Sequence, residues 1–106
     1  MFRSIVLICS HNGGKYISEQ IQSILNQTVK VDRIEIHDYN SKDQTTKIIK
    51  NFEKINSSIN LTSFNYAKSA SHSFFNSINI IREKYKNSNY ILYLTDQDDY
   101  WNRNKN

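Results

Sequence analysis

The run Tyr90-Ile91-Leu92-Tyr93-Leu94-Thr95 stops abruptly in Asp96, Asp98 and Asp99, and few folds accommodate both halves of that pattern. Continuous apolar and aromatic residues predict a strand covered on both faces, as in a parallel sheet, and open α/β sheets place ligands at the carboxyl ends of their strands. Three carboxylates within four residues repel one another, a cost that a divalent cation with a preference for hard oxygen ligands offsets. Mg²⁺ is commonly held by one or two carboxylates plus substrate phosphates, so Asp-x-Asp after a strand suggests a metal bridge to a diphosphate. Acidic clusters of this length also occur in solvated loops, where they hold nothing.

The residues before it alternate between strand and helix signals. Ser4 to Cys9 reads as a buried strand, and the turn-prone Ser10-His11-Asn12-Gly13-Gly14 follows. Ile17, Ile21, Ile24 and Leu25 lie on one face of an amphipathic helix expected to reach Gln27 or Thr28. The Gly pair before it either leaves free amides for an anion at the helix start or only makes the turn. Arg33 to His37 alternates polar with apolar and predicts a second strand that carries Asp38 at its carboxyl end. Ser41 followed by Gln44 predicts a capping box, with Ile48, Ile49, Phe52 and Ile55 as the apolar face of a second helix and Asp43 in its first turn. A third strand is expected over Ile59 to Phe64, and a third helix from about Ser71 to Lys86.

That order, β-α-β-α-β-α-β, predicts a parallel three-layer α/β/α sheet. Ser10 to Asn12, Asp38, Asn65 and Asp96 then share one edge of it. At 106 residues the chain is a single domain, long enough for a core but short for a complete α/β enzyme. Its 14 Lys+Arg against 10 Asp+Glu give a formal charge of +4, with the lysines scattered along the sequence, so nucleic acid is not an expected partner. Cys9 cannot form an internal disulfide, because it is the single cysteine, and core packing is its expected role. The apolar run at Ile5 to Cys9 is shorter than a signal-peptide core, and the chain is read as cytoplasmic.

The segment from Ser10 to Thr28, with its Asn12-Gly13 and Gln20-x-x-Ser23-Ile24-Leu25-x-Gln27-Thr28, resembles the opening of family 2 glycosyltransferases. Asp38-Tyr39-Asn40-Ser41-Lys42-Asp43-Gln44-Thr45 is similar to that family's Asp-Asp-Gly-Ser-x-Asp-x-Thr. Asp96-Gln97-Asp98-Asp99-Tyr100-Trp101 resembles the acidic motif of its rhamnosyltransferase-like members, and the three motifs occur in family order. The resemblance implies the Rossmann-like GT-A fold, of which residues 1–106 form the N-terminal, nucleotide-sugar-binding half. It further implies a UDP- or dTDP-sugar donor, a Mg²⁺ or Mn²⁺ ion, and transfer of a hexose or deoxyhexose to a glycan or lipid-linked acceptor in cell-surface polysaccharide synthesis. Such an enzyme works in the cytoplasm, and the resemblance allows a peripheral association of the full-length protein with the inner face of the membrane.

Carried over residue by residue, Ser10, His11 and Asn12 border the nucleotide, and Asp38 lines the base or ribose. Asp96 faces the ribose, Asp98 is the first choice of metal ligand, and Asp99 is the alternative. The catalytic base is expected beyond Asn106, so the 106 residues alone are expected to be inactive. Three departures stand out: Tyr39 replaces an aspartate at a position that often contacts the base, Asn40 replaces a glycine, and His11 replaces the usual Tyr or Phe. A phenol can stack on a base but supplies no carboxylate, so Tyr39 marks either a changed base contact or a degraded site. With the latter, the chain would be a non-catalytic nucleotide-binding module or an inactive remnant.

Overall fold

The computed structural model describes residues 2–27 and 31–95. Four strands, Arg3–Ser10 (β1), Arg33–Tyr39 (β2), Ile59–Phe64 (β3) and Tyr90–Leu94 (β4), alternate with helices Ile17–Leu25 (α1), Thr45–Ile55 (α2) and Ala70–Lys84 (α3). All pairings are parallel, in the order β3-β2-β1-β4, which is the mixed α/β layering expected from the sequence. The register sets Ser10 beside Asp38 and Asp38 beside Ser63, so the carboxyl ends of the three neighbouring strands lie level.

Alternation along the strands divides the core into two layers, because successive side chains point to opposite faces. Val6, Ile8, Ile34, Ile36 and Ile59 pack against Ile17, Ile21 and Ile24 of α1 and Ile49 of α2. On the other face Ile5, Leu7, Cys9 and Tyr39 meet Ile81 of α3 and Tyr85 just beyond it. Cys9 is buried as expected, and burial raises its thiol to about 11, which leaves it protonated and inert.

Three expectations are corrected here. The run at Tyr90–Leu94 is a strand, but it is not covered on both faces: Ile91, Tyr93 and Leu94 are 46%, 50% and 46% exposed. Among the described residues β4 pairs only with β1, and a cavity of about 500 Å³ lined in part by Ser4, Val6, Ile24 and Tyr93 opens beside it. The capping box at Ser41 and Gln44 also does not form, since α2 begins at Thr45. Asp43 does the capping instead, accepting the Thr45 amide at 3.0 Å and the Thr45 hydroxyl. Helix α1 ends at Leu25, short of the expected stop at Gln27 or Thr28.

Candidate functional site

The carboxyl edge is built by two loops that follow β1 and β2 and are fastened to each other. Asn12 has φ 51° and Asn40 has φ 56°, the left-handed region that glycine and asparagine adopt most readily. Asn40 therefore meets the same backbone demand as the glycine of the resembled pattern. Its turn brings Ser41 back over β2, where the Ser41 hydroxyl donates to Asp38 Oδ1 at 2.6 Å and its amide to Asp38 Oδ2 at 3.2 Å. Ser10 Oγ donates to the same Oδ1 at 2.7 Å, so the buried Asp38 carboxylate is fixed by both loops.

Asn12 completes the latch. Its amide donates to Ser41 Oγ at 2.7 Å, and its Oδ1 accepts the Lys42 amide at 2.7 Å. The Gly14 amide donates to Asp43 Oδ2 at 3.0 Å, and a Cβ at Gly14 would lie 3.0 Å from that oxygen, which is why a glycine suits the position. Partial burial pushes the Asp43 carboxyl up, but the Thr45 hydroxyl and the amides of Thr45 and Gly14 outweigh it and hold Asp43 below the usual carboxylate range. His11 Nδ1 faces the Tyr39 carbonyl at 2.5 Å, which can only accept, so the proton sits on Nδ1 and Nε2 is left to accept from Asn12 Nδ2 at 3.3 Å. Ser41→Ala removes the hydroxyl's bond to Asp38 Oδ1, keeps the backbone amide's bond to Oδ2, and orphans the Asn12 amide; unfolding in urea should show a loss of about 1–3 kcal/mol.

Ser10, His11, Asn12 and Asp38 are thus brought together at one edge. Tyr39 is not among them. Its neighbour Asp38 points to the α1/α2 face, so alternation turns the Tyr39 ring to the α3 face, where it is fully buried and stacked on Phe64 at 4.4 Å. Of the two alternatives for Tyr39, a changed base contact or a degraded site, its burial argues against a ring that stacks on a base. Its carbonyl serves the site through His11, while its side chain belongs to the core. Asp96, Asp98 and Asp99 lie outside the described residues, as does Trp101. Among the described residues there is no group of three or more His, Cys, Asp or Glu side chains placed to hold a metal ion.

The sequence reading missed a polar seam beneath α3. Glu35, His37 and Tyr39 share one face of β2 and are all buried. Glu35 Oε2 accepts from Lys84 Nζ at 2.9 Å and from the Tyr85 hydroxyl at 2.5 Å, and Oε1 accepts from Asn60 at 3.0 Å. Burial raises the Glu35 carboxyl, but bonds from Asn60, Tyr85 and Lys84 outweigh it and hold it below its ordinary value. His37 Nδ1 lies 2.7 Å from Ser77 Oγ, which lies 2.6 Å from the Tyr39 hydroxyl. Tyr39 in turn donates to the Ser73 carbonyl at 3.1 Å and accepts from Asn76 at 3.1 Å. The signal was present: a strand alternating apolar with polar, placed inside a three-layer sheet, has no solvent face, so its polar row must find partners.

A four-stranded, all-parallel sheet alternating with helices is a Rossmann-like α/β half. Residues 5–105 match the family model described as Glycosyl transferase family 2, and the chain belongs to that family. It is accordingly of glycosyltransferase type, with the N-terminal half of a GT-A fold. No curated protein matches the chain.

Proposed function

We propose that this chain is the donor-binding part of a glycosyltransferase that takes a hexose or deoxyhexose from a UDP- or dTDP-sugar and passes it to a glycan or lipid-linked acceptor. The observation that carries this reading is the latch of Ser10, Asn12 and Ser41 around Asp38, which holds a carboxylate rigid at the carboxyl edge of a family 2 domain. Asp38 is itself buried with its oxygens engaged by Ser10 and Ser41, so its part in this reading is to hold the bordering loops rigid, and a preorganised loop loses little entropy on binding a nucleotide. Membership of the rhamnosyltransferase-like group, and a role in cell-surface polysaccharide synthesis at the cytoplasmic face of the membrane, belong to the same proposal and rest on the acidic motif.

Asp98, with Asp96 and Asp99 beside it in sequence, is proposed to hold Mg²⁺ or Mn²⁺, since an all-oxygen donor set suits hard cations. The ion would supply charge neutralisation at the departing diphosphate. Calorimetric titration of UDP and dTDP with and without Mn²⁺ tests both parts. Binding is expected only with the metal and is expected to weaken at least tenfold in Asp98→Asn; equal affinity in EDTA would overturn the metal role. No binding of either nucleotide under any condition would overturn the donor site.

A further inference from the structure

Lysines that look scattered in the sequence gather on α2. Lys47, Lys50 and Lys54 fall within an arc of about 60° and a length of about 10 Å at helical geometry. That arc lies opposite the buried Thr45 and Ile49, so all three side chains are exposed to solvent. Among the described residues none of the three makes an ion pair. The acids nearest in sequence are engaged elsewhere: Asp43 holds Thr45 and Gly14, and Glu53 accepts the Leu61 amide at 2.9 Å. Like charges at i, i+3 and i+4 on one helix are mutually destabilising. At the end of the same helix Ile55 is 81% exposed, the largest exposure among the buried-type side chains of the described residues.

We infer that this face of α2 docks the protein on an anionic lipid bilayer. A stripe of cations with an adjoining bare aliphatic side chain is complementary to an acidic headgroup layer over an apolar interior. A single-stranded nucleic acid is the poorer match, because the exposed face, Lys47, Lys50, Asn51, Lys54 and Ile55, presents no aromatic ring on which a base could stack. The inference rests on the membrane placement proposed above and adds the surface that makes the contact; it does not involve the donor site, since no residue of the latch belongs to the stripe.

The test is sedimentation with vesicles of phosphatidylcholine alone and of phosphatidylcholine containing 30 mol% phosphatidylglycerol. Wild-type protein is expected to bind only the acidic vesicles, and less well as salt rises. The variant Lys47→Gln/Lys50→Gln/Lys54→Gln should lose about a hundredfold in partitioning, at roughly fivefold per lysine. A control triple on the other layer, Lys68→Gln/Arg82→Gln/Lys86→Gln, carries the same change in net charge and should lose less than about fivefold in all. Equal loss in the two triples would overturn the assignment to α2, since net charge alone would then explain binding. Equal binding to neutral vesicles, or tighter binding to a poly-uridine oligonucleotide than to the acidic vesicles at the same salt, would overturn the bilayer as the occupant. The nucleotide titration of the stripe variant should match wild type, which keeps a failure here separate from a failure of the donor site.

Discussion

Tyr39→Asp is expected to collapse the fold rather than to rebuild a nucleotide contact. The substitution removes a fully buried ring stacked on Phe64 at 4.4 Å and edge-on to Tyr66 at 5.9 Å. Truncating a buried aromatic costs about 3–5 kcal/mol, and the carboxylate left in its place would be buried as an additional cost. Against a domain stability of roughly 5–15 kcal/mol this is most of the total, and the melting temperature should fall by about 20 °C or more. Tyr39→Phe separates ring from hydroxyl. It keeps the stacking but leaves Ser77 and Asn76 without the oxygen they share, so it should cost about 1–3 kcal/mol. Circular dichroism melts of the three proteins decide the matter, and a Tyr39→Asp protein that melts within a few degrees of wild type and binds UDP more tightly would show that the ring is no part of the core.

The same residue shows what could be read from the sequence. Four strand segments and three helical faces were legible because burial leaves apolar runs and periods of two and 3.6, and those patterns survive without knowledge of any partner. The carboxyl edge was legible too, since Ser10, His11, Asn12 and Asp38 follow from where the strands stop. What a motif comparison cannot give is direction. Asp38 and Tyr39 are adjacent in sequence and opposite in space, so one enters the latch and the other the core. The helix start at Ser41 and Gln44 was misread for a related reason: Ser41 Oγ donates to Asp38, which leaves the shorter link from Asp43 to Thr45 as the cap. The burial of β4 was overestimated because an apolar run reports what a strand can tolerate, not how many neighbours it has.

Acid should destabilise this domain well above the range in which carboxylates titrate, and His37 is the reason. Its ring is buried, bonded through Nδ1 to Ser77 Oγ at 2.7 Å and edge-on to Phe64 at 5.7 Å. Burial lowers it to about 4 from an ordinary 6.5; the Glu35 charge works the other way, and Lys84 adds to the lowering. The unfolded chain therefore binds a proton that the folded chain refuses between those two values, and stability must fall as pH drops through that window. Stability from this group is fully present above about pH 6.5, and about 2 kcal/mol of it is lost by pH 5. Glu35, held below its ordinary value, loses its own contribution only at lower pH and does not produce this slope. His37→Gln keeps an N–H within reach of Ser77 and removes the titrating ring. Urea unfolding at pH 7.5 and pH 5 should therefore show the loss in wild type and a much flatter response in His37→Gln. An equal slope in the two proteins would assign the acid sensitivity to other groups.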